Sequence, residues 1–413
     1  MQSVDSNRRI HTGIPRYRSF QRPALFQQGF RPFFLAAGVW GALAVVVWLA
    51  IIGGEISLPT SFMPSRWHAH EMLFGFAVAA VAGFMLTAIP NWTGRMPLQG
   101  VPLIMLFCTW LLGRVAVAAS ALIGSFVSAA VDLAFLAALL AVIVREIVSG
   151  RNWRNLPMPV AIGLLLAANA LTHLDAAGWL HSAAVGERLG LATLVLLISL
   201  VGGRIIPSFT RNWLGKQGKL RVPAPFNRFD VVALLFILGA LALWVALPQS
   251  TVGGFALIGA GLLNFVRLMR WRTLSTLSEP LLWILHLGYG WITIGLLLLG
   301  GAAIFPEALP VTSGLHALGT GGIGSMILAV MTRATRGHTG RSLAAGVATT
   351  PIYILVTLAA ALRVGAPFIP EFYLTFLTAS GVAWVFAFGF FLCNYGPMVL
   401  TERSEAKGYR EVQ

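Results

Sequence analysis

Charged residues are scarce in this chain, and their scarcity is the first guide to its class. They make up 10% of the 413 residues, while hydrophobic residues make up 57%. Soluble globular domains carry roughly 25% charged residues. The composition therefore excludes an ordinary soluble domain and indicates an integral membrane protein.

Cysteine is nearly absent as well. Cys108 and Cys393 are far apart in the sequence, so they form neither a disulfide framework nor the Cys-x-x-Cys-His motif that attaches haem covalently. Glycine-rich phosphate loops and the nucleophile elbow of hydrolases are also missing from the connections. These absences argue against nucleotide hydrolysis and against soluble-type catalysis.

Long apolar runs are what the chain has in abundance. Each is about 20 residues long, which is enough to cross a hydrocarbon core of roughly 30 Å as a helix. Because lipid tolerates no open sheet edge, we predict an all-α polytopic membrane protein with about 12 transmembrane helices. The predicted spans are 30–53, 70–90, 101–119, 127–148, 157–175, 188–207, 230–248, 251–268, 281–300, 313–333, 347–366 and 373–398.

The net charge of +15 reflects topology rather than nucleic-acid binding. Most of the 29 basic residues fall in the N-terminal arm, the even-numbered connections and the C-terminal tail, and Arg and Lys gather on the cytoplasmic side of inserted helices. We therefore predict cytoplasmic termini, with a basic arm at 1–29, a single membrane domain at 30–398 and a tail at 399–413. No cleavage site lies near the arm, so the first span is interpreted as an uncleaved signal anchor.

Three spans suggest an internal repeat. The second, sixth and tenth spans end in similar strings, at residues 91–95, 212–216 and 337–341. The offsets of 121 and 125 residues suggest units of four helices, and shifting the second span by 246 residues places His70 on His316. The alternative is that Trp and basic residues mark every cytoplasmic interface, so that such strings follow from topology alone.

Histidines are the main candidates for chemistry, because ionisable residues at membrane depth are costly and usually functional. Only eight occur in the chain, and four of them share the predicted outer layer: His68, His70, His173 and His316. Neutral imidazole is a ligand for both haem iron and copper. We predict these four residues to be metal ligands.

The spacing of His68 and His70 leaves two interpretations of this pair open. His68 and His70 would face different sides of a helix, so they share one metal only if the chain is still extended at His68; otherwise they serve different centres. Glu71 is predicted either to orient the His68 ring as a hydrogen-bond acceptor or simply to complement the helix dipole. His173 shares a face with Asn169 and is either a ligand or an interhelical hydrogen-bond donor.

The tenth span offers space beside its histidine. Gly319 and Thr320 lie below His316 on the same face, where small residues leave room for a flat macrocycle or for a neighbouring helix. His286, near the cytoplasmic end of the ninth span, is interpreted as a ligand of a second site or as a packed polar residue. Solvated roles are expected for the histidines of the arm and connections, His11, His181 and His338.

Four arginines lie in or near the predicted outer half, where the charge rule does not explain them. The two propionates of a haem need cationic partners at the water boundary, and Arg matches a carboxylate in a bidentate manner. Arg66 and Arg114 are the first candidates, and Arg363 is the third. The alternative is snorkelling toward the interface, above all for Arg188 and Arg363.

Several strings together identify a family resemblance. GFRPFF at 29–34 and WHAHE at 67–71, the latter continued by PNWTG at 90–94, resemble the NnrS family, as do the runs at 202–207 and 314–341. The resemblance covers nearly the whole chain and includes the same number of spans. The joining of the histidine string to PNWTG within one span makes it specific.

The resemblance implies a bacterial inner-membrane protein that contains haem and copper. Such proteins are produced alongside denitrification functions and are linked to tolerance of nitric oxide and nitrosative stress. The missing Cys-x-x-Cys-His motif fits a non-covalent haem held by histidine. The resemblance does not assign ligands to residues, so the candidates above rest on depth and spacing.

The leading functional hypothesis is a haem–copper protein that binds or converts nitric oxide at a histidine-ligated metal site near the periplasmic face. Its expected partners are nitric oxide or a related nitrogen oxide and the lipid bilayer, and not nucleic acid. The alternatives are a twelve-helix transporter of a metal or metal–nitrosyl species and a membrane redox enzyme with two metal centres. The sequence leaves open whether the protein is catalytic and which electron donor it uses.

Overall fold

A computed structural model of the chain describes residues 23–180 and 184–402. These ranges are helical and contain no β-strand. Most of the predicted basic arm, including His11, lies outside the described residues, as do His181 and the tail from residue 403 onward.

Twelve helices within the described ranges are long and apolar enough to cross a membrane, which confirms the predicted multi-pass architecture. Each predicted span lies largely within one of them. In chain order the helices are α1 (Phe30–Ile52), α2 (Pro64–Thr93), α3 (Val101–Ala118), α4 (Ser125–Ser149), α5 (Trp153–Ala176), α6 (Val185–Lys216), α7 (Arg228–Ala246), α8 (Thr251–Met269), α9 (Pro280–Ile304), α10 (Val311–His338), α11 (Thr349–Phe368) and α12 (Pro370–Leu400).

The start of α2 differs from the prediction in a way that matters for the site. The helix begins at Pro64, six residues before the predicted start, and Met63 before it is extended, with ψ 147°. Proline suits the first helical position because its ring presets φ and the missing N–H would have no partner there. His68 and His70 are therefore both helical, and their side chains point in different directions.

Three of the long helices contain a π-helical segment. In α2 it covers Glu71–Ala77, in α6 Ile198–Gly202 and in α10 Ala317–Gly324. The segments of α2 and α10 begin directly after His70 and His316. Because π segments inside α-helices occur frequently at functional sites, they indicate that α2 and α10 are candidates for carrying such a site.

The centre of the bundle is formed by a minority of the helices. The share of the apolar window that is buried reaches 72% in α10 and 67% in α2, but only 33% in α1, α4, α7 and α11. The first and last helices are joined by Arg31, whose Nη1 donates to Val399 O at 2.8 Å and to Thr401 O at 2.6 Å. The helices that carry the candidate histidines are thus mostly shielded from lipid.

The bundle has a histidine end and a basic end. The histidine end holds the starts of α2 and α10 and the end of α5, where His70 and His173 are in contact. The basic end is the opposite one, where Asn152 Nδ2 donates to Trp92 O at 2.6 Å between α5 and α2. The short connections make consecutive helices run in opposite directions between these ends.

Candidate metal centre

Three helices bring His70, Asp132 and His173 together at the histidine end. His70 comes from α2, Asp132 from α4 and His173 from α5, and all three side chains are buried. Asp132 Oδ2 lies 3.0 Å from His173 Nε2 and 3.2 Å from His70 Nε2. The possible ligand atoms lie within 4.8 Å of one another, so the three residues could hold one metal ion. We call this group the histidine–aspartate centre.

Neighbouring side chains orient the rings of this centre. His70 Nδ1 lies 3.0 Å from Glu71 Oε1, and Trp40 Nε1 donates to Glu71 Oε2 at 2.7 Å. Asn169 bridges the other side, with Oδ1 2.9 Å from His70 Nε2 and Nδ2 donating to Asp132 Oδ2 at 2.8 Å. Such partners hold a ligand ring in one orientation. Glu71 thus contacts His70, whereas the sequence pointed to His68.

Arg114 compensates the two carboxylates. Its Nη1 donates to both carboxylate oxygens of Glu71 at 2.8 Å, and its Nη2 donates to Asp132 Oδ1. With neutral imidazoles, two carboxylates and one guanidinium leave a net charge of −1 in a buried site. Because an uncompensated buried charge is costly, the centre calls for one more positive charge. A proton on an imidazole or a monovalent metal ion supplies it.

Glycine and phenylalanine shape the surroundings of the centre. A Cβ at Gly75 would lie 2.6 Å from Trp40 Nε1 and 2.7 Å from Glu71 Oε2, so only glycine leaves these side chains in place. The rings of Phe62 and Phe74 lie 5.1 Å and 5.3 Å from the His70 ring. This apolar cover limits water access, a property that tunes metal sites.

His68 and His316 form a second group at the same end. The His68 ring stacks on Trp48 with centroids 4.7 Å apart and an interplanar angle of 17°. His316 Nδ1 lies 2.8 Å from Thr312 O and donates to it, which leaves Nε2 with a lone pair. Arg363 and the two rings lie close enough to interact electrostatically. We call His68, His316 and Arg363 the His68–His316 group.

Two polar atoms in this second group have no protein partner. Among the described residues, no hydrogen-bond partner is found for His68 Nδ1 or Arg363 Nη1, although each atom is buried. Buried polar atoms normally have a partner, and each exception needs an explanation. A Cβ at Gly319 would meet nothing within 4 Å, whereas a Cβ at Gly321 would lie 2.6 Å from the Trp291 side chain. One face of α10 is thus packed while another offers space.

The predicted arginines have other partners. Arg66 lies 3.0 Å from Asp175 and pairs with Glu187, and Arg188 Nε donates to Val245 O at 3.2 Å. Both first candidates for haem propionates, Arg66 and Arg114, thus already bind protein carboxylates. Their role at a haem stays a prediction, as does that of the half-buried Thr320 beside His316.

His286 lies away from both groups. Its Nε2 is 2.9 Å from Thr210 Oγ1 and its Nδ1 is 3.1 Å from Thr273 Oγ1. Both ring nitrogens therefore have a hydroxyl partner. This geometry favours the interpretation of His286 as a packed polar residue. A second metal site at His286 stays a prediction.

A second buried polar cluster lies in α6 to α9. Arg267 Nε donates to Asp230 Oδ1 at 2.9 Å, and its Nη1 donates to Tyr289 Oη at 3.0 Å and to Ser199 O at 2.9 Å. Tyr289 Oη donates to Asn264 Oδ1 at 2.6 Å. We call these five residues the arginine–tyrosine cluster. It offers one carboxylate and no imidazole, so it lacks the ligands of a transition-metal site.

Sequence reasoning gave no role to Asp132 and did not identify the arginine–tyrosine cluster. The available signal was a charged residue inside an apolar run, as with Asp132 in α4 and Arg267 in α8. Such residues pair with one another or mark a site. Their partners come from other helices, so no local spacing points to them.

Comparisons with known proteins agree with this architecture. The family model described as "NnrS: NnrS protein" matches residues 24–403, nearly the whole chain. A search of proteins with curated descriptions found no match.

Proposed function

The chain belongs to the NnrS family, and we propose that it is a metal-containing protein of the nitric oxide response in the bacterial inner membrane. In this proposal it binds or converts nitric oxide at histidine-ligated metal near the histidine end, the end that the charge distribution predicts to be periplasmic. The twelve helices and the buried His–Asp–His group support the proposal.

The observation that carries the proposal is the histidine–aspartate centre. Two imidazoles and one carboxylate oxygen form a donor set that copper accepts. The site has a net charge of −1 with neutral imidazoles, so a cuprous ion would make it neutral while a divalent ion would leave one positive charge. We therefore assign copper to His70, His173 and Asp132, with Glu71 and Asn169 orienting the rings and Arg114 balancing the carboxylates.

The His68–His316 group fits haem. His316 offers a free Nε2, His68 has an unpartnered buried Nδ1, and Arg363 has an unpartnered Nη1 that suits a propionate. No atom lies within 4 Å of a Cβ built at Gly319, so a ligand could approach this face of α10. Haem bound there would supply an iron that binds nitric oxide and exchanges one electron.

The side chains of this chain account for the other requirements. Phe62 and Phe74 exclude water from the copper site, and the Trp48 ring supports His68. Nitric oxide is neutral and soluble in lipid, so it needs no polar path to either site. The alternative of a transporter finds less support, because transporters place their binding groups near the bilayer midplane and these histidines lie at one end.

The test is metal analysis of the purified protein. We expect stoichiometric iron and copper, and an absorption spectrum that shifts when nitric oxide is added. His173→Ala should remove copper and keep haem, while His316→Ala should remove haem and keep copper. His286→Ala is the matched control and should keep both. A folded protein that lacks both metals after haem- and copper-replete expression would overturn the proposal.

A further inference from the structure

The largest described cavity lies away from both metal groups, toward the basic end. Its volume is about 370 Å³, and it lies between α1, α2, α6, α9 and α10. The polar residues of its lining include Asn91 and Arg333, and Trp92 and His338 stand beside them. The rest of the lining is mainly apolar, as at Phe84. The cavity therefore has a polar side and an apolar side.

A second, narrower cavity of about 90 Å³ continues from the first toward the middle of the bundle. The two share Phe34, Phe84, Ile205 and Val330 in their linings, and the second also reaches Ile323. Its lining is entirely apolar. We call the two cavities together the inner cleft.

The inner cleft is long and narrow. Ile323 and His338 are both in its lining, and their separation of 15 positions on α10 corresponds to about 22 Å at the rise of a helix. Ile323 is 7 residues from His316, and because the segment between them is π-helical, the distance along the helix is shorter than the roughly 10 Å of an α-helix. The apolar end of the cleft thus approaches the His68–His316 group.

The polar end of the cleft offers hydrogen-bond donors, and the Glu279 carboxylate interacts electrostatically with Arg333 from outside the lining. The Arg333 guanidinium lies 4.0 Å from the centre of the Phe209 ring, and both residues line the cleft. No carboxylate occurs among the described lining residues. Such an end suits a ligand whose head is flat, aromatic and rich in hydrogen-bond acceptors.

We propose that the inner cleft binds an isoprenoid quinone, with the ring near Arg333 and the chain running past Val330 toward Ile323. The narrow cavity of about 90 Å³ is entirely apolar and has room for only the first part of one isoprenoid chain. A phospholipid would have to place two chains in it. The aromatic lining of Phe34, Phe84 and Trp92 matches a planar head.

The role of the quinone rests on the proposed function. A hydroquinone that becomes a quinone releases two electrons and two protons. The reduction of two nitric oxide molecules to nitrous oxide and water consumes two electrons and two protons, so the two half-reactions balance. The cleft would then hold this donor with its ring at the polar end near Arg333, 17 positions along α10 from His316.

The test measures quinone retention by the full-length protein. Wild-type protein and variants are incubated with excess quinone in lipid nanodiscs and repurified in mild detergent. The bound quinone, phospholipid, iron and copper are then quantified in each sample. Arg333→Leu removes the donor, and Val330→Phe fills the cleft. Arg336→Leu and Val144→Phe are the matched controls, because Arg336 pairs with Ser342 and Val144 is 41% exposed on α4.

We expect stoichiometric quinone in the wild type and in both controls. Retention should fall about tenfold in Arg333→Leu, because a hydrogen bond from a charged group contributes on that order to affinity. A comparable loss is expected for Val330→Phe, and if one of the two variants does not fold, the other decides. Equal retention in all folded variants would overturn the cleft assignment, as would phospholipid in place of quinone.

Metal content separates this proposal from the proposed function. Protein that carries iron and copper but retains no quinone would overturn the cleft proposal alone. Protein that retains quinone in the cleft but contains no metal would overturn the proposed function and leave the binding site standing.

Discussion

The histidine–aspartate centre and the arginine–tyrosine cluster both bury an arginine against an aspartate inside membrane helices. In the first, Arg114 meets Asp132 and a second carboxylate, Glu71. In the second, Arg267 meets Asp230 and is otherwise surrounded by hydroxyl and amide groups. Both sites pair a buried arginine with a buried aspartate, but only the first site also contains imidazoles.

The charge balance shows what this difference means. Asp230 pairs with Arg267 at 2.9 Å and also lies 3.8 Å from the half-buried Arg270, so the arginine–tyrosine cluster needs no further cation. With neutral imidazoles, the histidine–aspartate centre has two carboxylates and one guanidinium, so it needs one further positive charge. Buried ion pairs are retained for reasons other than stability alone. We infer that the cluster holds α6 to α9 together, while the centre takes its additional positive charge from a proton on an imidazole or from a metal ion.

The largest expected effect is from removing the arginine of the centre. Arg114→Leu leaves two buried carboxylates without compensation, so we expect a loss of about 3–5 kcal/mol or more in the free energy of unfolding. Thermal unfolding of the detergent-purified protein measures it. Arg145→Leu is the control, since its side chain is 62% exposed in the pair with Glu146 and an exposed ion pair contributes about 0–1 kcal/mol. Similar stability of both variants would contradict the role of Arg114.

The next prediction separates the two sites directly. Arg267→Met alone should destabilise the protein by about 3 kcal/mol. Adding Asp230→Asn should recover part of this loss, because it removes the unpaired buried charge and can still accept the hydrogen bond from Asn227 N at the start of α7. Combining Arg114→Met with Asp132→Leu should instead abolish copper binding. The comparison fails if the Arg267 and Asp230 double variant loses copper or if the Arg114 and Asp132 double variant keeps it.

A smaller effect is expected from the residue that orients the His70 ring. Asn169→Ala removes a bridge between His70 and Asp132 and should weaken copper binding by about 10- to 100-fold. Competition with a copper chelator gives the affinity. Asn264→Ala, in the arginine–tyrosine cluster, is the matched control and should leave it unchanged. An equal effect of both substitutions would mean that Asn169 acts only through stability.

The smallest effect is predicted at the haem. Arg363→Leu should increase haem loss to apomyoglobin about tenfold, because a hydrogen bond to a carboxylate would be missing. Arg188→Leu should not, since Arg188 donates to the backbone at Val245. If the two variants lose haem at the same rate, Arg363 has no contact with a propionate.

Several features could be predicted from sequence because they depend on local physics. An apolar run of sufficient length must be a helix in lipid, and so the twelve helices were predictable. The prediction that His70 and His316 lie in the same layer followed from counting residues along those helices. The end of α2 was also close to its predicted position, whereas its start was wrong by six residues because Pro64 begins a helix ahead of the apolar run.

The partners of the candidate residues could not be predicted. Sequence spacing related Glu71 to His68 and Asn169 to His173, but in the structure both side chains contact His70. Spacing along one helix ranks only the neighbours on that helix. The side chains that meet across an interface depend on how helices rotate and pack, and the π segment after His70 alters that rotation locally.

The sequence by itself determined the class of the protein, the number of its helices and the layer in which its histidines lie. These follow from transfer of apolar surface into lipid and from the fixed rise of a helix. The tertiary structure alone decided that His68 and His70 belong to different groups and that Asp132 joins His70 to His173. It also decided that Arg114 serves the carboxylates, because a buried charge takes its partner from whichever helix brings one within reach.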